Sequence, residues 1–446
     1  MSPLRIGFVS TRFHGTDGVS LEVRKWVAVL REMGHECFFF AGQSEWPEDV
    51  SFVVPEAHFT HPDVAAINRD LFDDERRSRA VSEQVQKLAG RLKEALYTFT
   101  AKFGVEVLIT ENALSLPMNV PLGVALTEFI AETALPVLGH HHDFWWERER
   151  YAVSAADDYL RGAFPPVLQP VYHVVINSYA REQLALRTGA SSRVIPNVMD
   201  FETPPPPPDE YAADIRAELG IPEGAFFILQ PTRVVPRKRI EQSIEIVARL
   251  QRMGISAVLV ISHASGDEGH EYAAYLREYA DLLGVRIIYA AERVAYRRGR
   301  TPDGRKVYSL RDVYQAADLV TYPSAIEGFG NAFLEAVYYR RPILMNRYEI
   351  FKTDIGPKGF RVIHFDGFVQ QQCLERAREV LLNPDSAAED VAHNYELGRR
   401  FYSFHVLRHA LQMALHECCG HELPHHLPAF SENETPEAPR AHGEDD

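Results

Sequence analysis

Cysteine is scarce in this chain. There are four among 446 residues, Cys37, Cys373, Cys418 and Cys419. So few exclude a disulfide scaffold and fit a reducing compartment. Basic charge is also short: Lys and Arg number 47 against 62 Asp and Glu, a formal net charge of −15. That balance argues against nonspecific nucleic-acid binding, and any anionic ligand needs a local basic pocket. No apolar run of about 18 residues occurs, so no transmembrane segment is expected. The opening "MSPLRIGFVSTRF" enters a strand-like run without a signal-peptide core, and a cytoplasmic protein is expected. What is present is ordinary globular composition, 46% hydrophobic and 24% charged, enough for two domains with their own cores.

"LRIGFVS" reads as a buried parallel strand, followed by the loop "TRFHGTDG". A helix then places Leu21, Val27, Leu30 and Met33 on one side, and "HECFFFAG" resumes as a strand. A charged helical stretch is expected from about 73 to 102. The runs "VEVLIT", "PVLGHH" and "HVVINS" alternate with helices, which implies a doubly wound parallel sheet. Five consecutive prolines in "FETPPPPPDEY" predict an extended, semi-rigid connector. Alternation then restarts with "FFILQPT", "SAVLVIS", "VRIIYAA", "LVTYPS" and "RPILMN". The fold class expected is α/β, with two Rossmann-like domains over 1–203 and 209–397. Residues 421–446 are rich in Glu, Pro and His and are expected to be disordered. Ligands of such sheets sit at the carboxyl ends of the strands, so both domains can face one cleft.

Two segments could carry chemistry in that cleft. In "TYPSAIEGFGNAFLEA" a strand ends near Ser324 and a helix starts near Gly330 or Asn331. The first N–H groups of a helix lack partners and form an anion site. Gly328 and Gly330 let a ligand approach the backbone. Glu327 precedes the turn, and Glu335 lies about 6 Å along the helix axis. The two acids could hold different hydroxyls of one ligand whose phosphates rest on the helix end. The plainer alternative is a capped helix with surface acids. In "PTRVVPRKR" four cations, Arg233, Arg237, Lys238 and Arg239, crowd a loop before a helix. Cations there oppose the helix dipole, and a polyphosphate would remove the conflict. A solvated basic loop is the alternative.

Together these segments resemble the family-4 retaining glycosyltransferases of the GT-B fold. The acid pair matches that family's Glu-x7-Glu motif, and "PTRVVPRKR" its Arg-x4-Lys segment. "VINS", "VIPNVMD" and "AADLVTYPS" match in the same order, and the likeness extends to about residue 415. The resemblance implies that Arg233 and Lys238 bind the donor diphosphate, Glu335 the ribose and Glu327 the donor sugar. The backbone at Phe329, Gly330 and Asn331 would meet sugar and phosphate, and residues 291–294 the base. Gly18 of "HGTDGVSLE" would lie nearest the phosphate, although the family's adjacent glycines are replaced by Gly-Thr-Asp-Gly. A helix over 398–420 would rejoin the first domain.

"LGHHHDFWWERERY" ends another strand, where the family often has a histidine facing the donor sugar. Period-2 alternation would put His140 and His142 on one face and His141 on the other. His142, followed by Asp143, is the first candidate and His140 the second. Adjacent strand residues converge poorly on a metal. Trp145 and Trp146 could stack on an acceptor sugar, and Arg148 and Arg150 could bind its carboxylate or phosphate. A solvated charged face is equally open for "ERER". "HECCGHELPHH" lacks HExxH spacing and reads as a helix end.

"GTDGVSLE" and "GHHHDFWWER" look like the mannosylglucosylglycerate synthase type. That implies mannosyl transfer from GDP-mannose to glucosylglycerate, a small polar acceptor. UDP- or ADP-glucose as donor to another acceptor, and a noncatalytic nucleotide-sugar sensor, stay open. No metal is required if the cations suffice, and nothing in the sequence indicates magnesium.

Overall fold

The computed structural model describes residues 2–15, 18–264 and 270–420. The tail over 421–446, and Thr16 and Asp17 of the glycine loop, lie outside the described residues.

The first half forms a seven-stranded sheet of β1 (Arg5–Val9), β2 (Glu36–Ala41), β3 (Ser51–Val53), β4 (Val107–Glu111), β5 (Val137–His141), β6 (Val171–Val175) and β7 (Ser192–Val194). The spatial order is β3-β2-β1-β4-β5-β6-β7, and every pairing is parallel. The strands read as continuous apolar runs because helices cover both faces. One face is covered by the helices Arg79–Phe103 and Val120–Thr133, through side chains such as Leu92, Phe99 and Phe129. The other packs on Gly18–Glu32 through Val23, Trp26 and Leu30.

The second half begins with β8 (Phe226–Gln230), β9 (Ala257–Ile261) and β10 (Ile287–Tyr289). Three short strands follow, β11 (Val294–Ala295), β12 (Gly299–Arg300) and β13 (Lys306–Ser309), which make a small sheet of their own. β14 (Leu319–Tyr322), β15 (Ile343–Asn346) and β16 (Ile363–Phe365) complete the main sheet, ordered β10-β9-β8-β14-β15-β16 and again parallel throughout.

Strand order reverses between β1 and β4 in the first sheet and between β8 and β14 in the second. Loops leaving the carboxyl ends of such neighbours run to opposite faces, which opens a crevice. The loop carrying Arg233 and Lys238 follows β8, and the one carrying Glu327 follows β14. The glycine loop follows β1, and Glu111 ends β4. Both crevices therefore receive residues that the sequence singles out, and the first also receives Glu111, which it does not.

The charged helix expected from about 73 to 102 is present but starts six residues later. Asp73 has φ +74, and a helix over Pro62–Leu71 ends just before it. The long helix starts at Arg79, where the Ser78 hydroxyl accepts from the Val81 N–H. The helix expected over 398–420 is two helices. Ala388–Phe401 stays with the second core through Tyr395. Phe404–Cys419, capped by Ser403, packs Leu407, Leu411, Ala414 and Leu415 against the first. His416 belongs to this helix, which ends at Gly420 in the left-handed region.

Candidate functional site

The turn after β14 leads into a helix over Asn331–Tyr338, capped by Gly330 at φ +113. Asn331 and Ala332 have no backbone hydrogen bond for their N–H groups among the described residues. Asn331 Oδ1 accepts from Asn197 Nδ2 at 2.6 Å, across from the first half. A Cβ on Gly18 would lie 3.3 Å from Asn331 Nδ2, so the glycine loop abuts this helix start. Nearby, the Gly328 carbonyl accepts from Asn177 Nδ2 at 2.6 Å. The Phe329 ring is buried against Tyr402 at 5.3 Å, and its carbonyl accepts from the Tyr348 hydroxyl at 2.7 Å.

Gly330 can be only glycine here. A Cβ would sit 2.2 Å from Tyr348 Oη, in a backbone region that L residues rarely adopt. Gly330→Ala should lose on the order of 2–3 kcal/mol in thermal unfolding and at least about tenfold in transfer rate. Adding Tyr348→Phe should recover part of the stability. An unchanged melting temperature in Gly330→Ala would contradict the assigned turn geometry.

Lys238 is buried and donates to Glu327 Oε1, while Arg237 Nη1 lies 3.7 Å from Glu327 Oε2. Burial pushes the Lys238 pKa down, and Glu327 opposes that. Burial also works against charge on Glu327, yet Lys238 and then Arg237 hold its pKa below the ordinary value. Arg233 is exposed, on the same loop. His263, at the end of β9, donates or accepts at Ser262 Oγ, 2.9 Å away. Burial, then the charges of Lys238 and Arg233, lower its pKa to about 4. Burial first, and the two cations after it, favour the neutral imidazole.

Glu335 accepts from the Tyr314 hydroxyl at 2.7 Å. Burial raises its pKa; Tyr314 and Lys25 oppose the rise. Glu335 and Asn331 line a cleft of about 610 Å³, with Arg24 and Lys25 on one wall and Tyr296 and Arg297 on another. The expected base segment 291–294 forms a turn over Ala291–Arg293 and enters β11. Arg293 itself is turned away into an ion pair with Glu218 at 2.8 Å. Tyr296 and Arg297 belong to the insert that carries the small sheet, which the sequence reading missed.

On the opposite wall, β5 puts His140 and His142 toward Glu111 and His141 toward His173. Glu111 Oε2 lies 2.9 Å from His140 Nδ1 and 3.0 Å from His142 Nε2. These three donor atoms are the metal-type grouping found among the described residues. Only His142 Nε2 is hydrogen-bonded to Glu111; His140 Nδ1 lies within ion-pair distance without hydrogen-bond geometry, Glu111 Oε1 is buried unpartnered, and we read the three as a charged cluster. Burial disfavours charge on Glu111, but the two histidines bring its pKa down to about 2. Asp143 pairs with Arg148 at 2.5 Å. Trp146 is stacked on Phe144 at 4.4 Å, beneath the Arg187 guanidinium. Arg150 lies over the Tyr151 ring at 4.6 Å. Trp145 packs against the first core.

The two walls touch. A Cβ on Gly328 would meet the His142 carbonyl and Ile176 Cδ1, each at 3.3 Å. Ser178, at the start of its helix, donates N–H and hydroxyl to Asp354 of the second half. Cations, an open helix start and two buried carboxylates thus converge on one interface between two doubly wound sheets.

No family model matches the chain. A mannosylglucosylglycerate synthase of Thermotoga maritima is 33% identical over 446 aligned residues, covering 92% of this chain and 99% of that protein. One of Petrotoga mobilis is 33% identical over 387, covering 81% and 86%. Among solved structures, a glycosyltransferase from Rickettsia africae superposes with a TM-score of 0.65 at 12% identity, covering 95% of this chain and all of that one. The fold is GT-B, and the protein is a glycosyltransferase that uses a nucleotide sugar. Within that class, the chain belongs to the mannosylglucosylglycerate synthase family. Among the described residues no helix is long and apolar enough to cross a membrane.

Proposed function

We propose that the protein transfers mannose from GDP-mannose to glucosylglycerate, with retention of configuration and without a resident metal. The observation that carries this is the 33% identity to mannosylglucosylglycerate synthases over nearly the whole of both chains. The division into domains falls at residues 204–208, with Phe404–Cys419 returned to the first domain.

Arg233, Lys238 and the N–H groups of Asn331 and Ala332 receive the diphosphate, with Gly18 giving it room. Glu335 takes the ribose hydroxyls. Glu327, held by Lys238, accepts from hydroxyls of the donor sugar, beside the backbone of Gly328 to Gly330. His142 faces that sugar, and His140 braces it from behind. The bond between the anomeric carbon and the β-phosphate oxygen breaks as the acceptor oxygen bonds to that carbon on the same face. The acceptor proton passes to the departing phosphate oxygen. Negative charge grows on the diphosphate in this step, so fixed cations and helix N–H groups lower the barrier. Closure of the two halves excludes water. Arg150, whose partner is an aromatic face and not an acid, suits the glycerate carboxylate. Asp143 with Arg148, and Trp146, shape the floor beneath it.

The test is a thermal-shift screen of GDP-mannose, UDP-glucose and ADP-glucose, since a ligand that binds only the folded state raises stability. GDP-mannose should give the largest shift. Incubation with glucosylglycerate should then add one hexose, equally with and without EDTA. A shift confined to UDP- or ADP-glucose would overturn the donor, and loss of transfer in EDTA the metal-free chemistry.

A further inference from the structure

The Glu111 cluster is more elaborate than a sugar contact needs. β4 and β5 are parallel neighbours, with Glu111 in register opposite His140. Alternation therefore brings both His140 and His142 to the carboxylate. The three side chains are 0%, 1% and 6% exposed. His140 is fixed by Trp26 of the Gly18–Glu32 helix, whose ring stacks on it at 4.0 Å and 20°, and by the His142 ring at 4.2 Å.

A carboxylate so buried requires a charged partner. The other charges near it are committed elsewhere. Glu22, on the helix packed against the cluster, pairs with Lys25 at 2.8 Å, and Asp143 pairs with Arg148. His141 points to the opposite face, onto His173. The proton must lie on His140 or His142. Burial lowers the pKa of both, but for His142 the Glu111 bond and charge, with Glu22 and Asp143, reverse the effect and raise it; His140 stays lowered. His142 is also the member nearest the second half, with its carbonyl against the Gly328 turn. Its Nε2 is occupied by Glu111, and its Nδ1 makes no hydrogen bond to the described residues.

We propose that Glu111 is a positioning residue for the transfer: it holds His142 by Nε2–H, so that Nδ1–H faces the cleft as a cationic donor to a hydroxyl oxygen of the donor hexose. This rests on the donor placement proposed above. The histidine donates a hydrogen bond and transfers no proton. Its charged form persists to higher pH than an ordinary histidine, and transfer falls as pH rises through its pKa.

The test uses full-length protein with isotopically labelled histidine, and His142→Gln to assign the signal. In the ligand-free protein His142 should titrate above the ordinary value of about 6.5. Glu111→Gln should move that titration down by about one pH unit or more. The alkaline limb of kcat/KM should move with it, kcat should drop about tenfold, and Glu111→Asp should restore part of both. A wild-type His142 titrating at or below the ordinary value overturns the proposal, and decides it alone if Glu111→Gln does not fold. So does a stoichiometric metal on these residues. A moved titration with an unmoved rate profile also overturns it, and locates the failure in the donor placement, because the titration is read without donor.

Discussion

Replacing Lys238 with alanine is expected to lower kcat/KM by about 10³-fold, mainly through kcat. The ammonium is buried beyond the carboxyl end of β8, among the cations proposed to meet the departing diphosphate. Removing one preorganised group of that kind costs about 10²–10³ in rate. A second effect adds to it. Glu327 loses the charge that holds it ionised, with only Arg237 left at 3.7 Å. Stranding one partner of a buried pair costs about 3 kcal/mol. Removing both charges separates the two effects. Lys238→Ala with Glu327→Gln should melt closer to wild type while remaining inactive. A double variant that regained transfer would contradict the role of Lys238.

Glu335→Ala should reduce kcat/KM about 100-fold, with most of the change in the KM for donor. The carboxylate lines the cleft wall, accepts from Tyr314 and stands within the field of Lys25. Hydrogen bonds to a charged group are worth about 1.5–3 kcal/mol, which corresponds to about 10- to 100-fold in affinity. The ribose hydroxyls proposed as its partners exist in ground and transition states alike, so loss of uniform binding is the expected signature. Circular dichroism should stay native, because the first turn of the helix and its Gly330 cap are untouched. A donor KM within twofold of wild type would remove Glu335 from the nucleotide site.

Much of the architecture was readable because its signals are strong. The strands named from apolar runs all pair, and the proline segment between the two sheets holds no helix or strand. What was missed is short or carries no motif. β3, β7 and β16 have three residues each, too few for a period to show. The small sheet over 294–309 has strands of two to four residues. Its signal was there: "TPDG" is a turn sequence, and Thr301 N–H bonds Arg305 while Gly304 takes φ +86. The later start of the helix expected from about 73 could have been found from Ser78, a capping residue just before the apolar pattern.

The site divides in the same way. Glu327, Glu335, Arg233 and Lys238 sit in segments whose spacing has a physical meaning, so the sequence could single them out as candidates. Glu111 does not. It ends an unremarkable strand, and only the register of β4 against β5 shows that it meets His140 and His142. His263 was hidden likewise, because nothing in "VISHASG" reveals that β9 lies beside the cationic loop. Long-range pairing decides these contacts, and one-dimensional pattern does not carry it.

The central claim is that the Arg233–Lys238 loop and the start of the Asn331–Tyr338 helix grip the β-phosphate. Isothermal titration of GDP and GMP into wild type and Lys238→Ala tests it directly, with the uridine and adenosine pairs run alongside. GDP should bind wild type at least about 100-fold tighter than GMP, a gap of about 2.7 kcal/mol, and most of that gap should vanish in the variant. Equal binding of diphosphate and monophosphate by wild type, or an undiminished gap in Lys238→Ala, would contradict it.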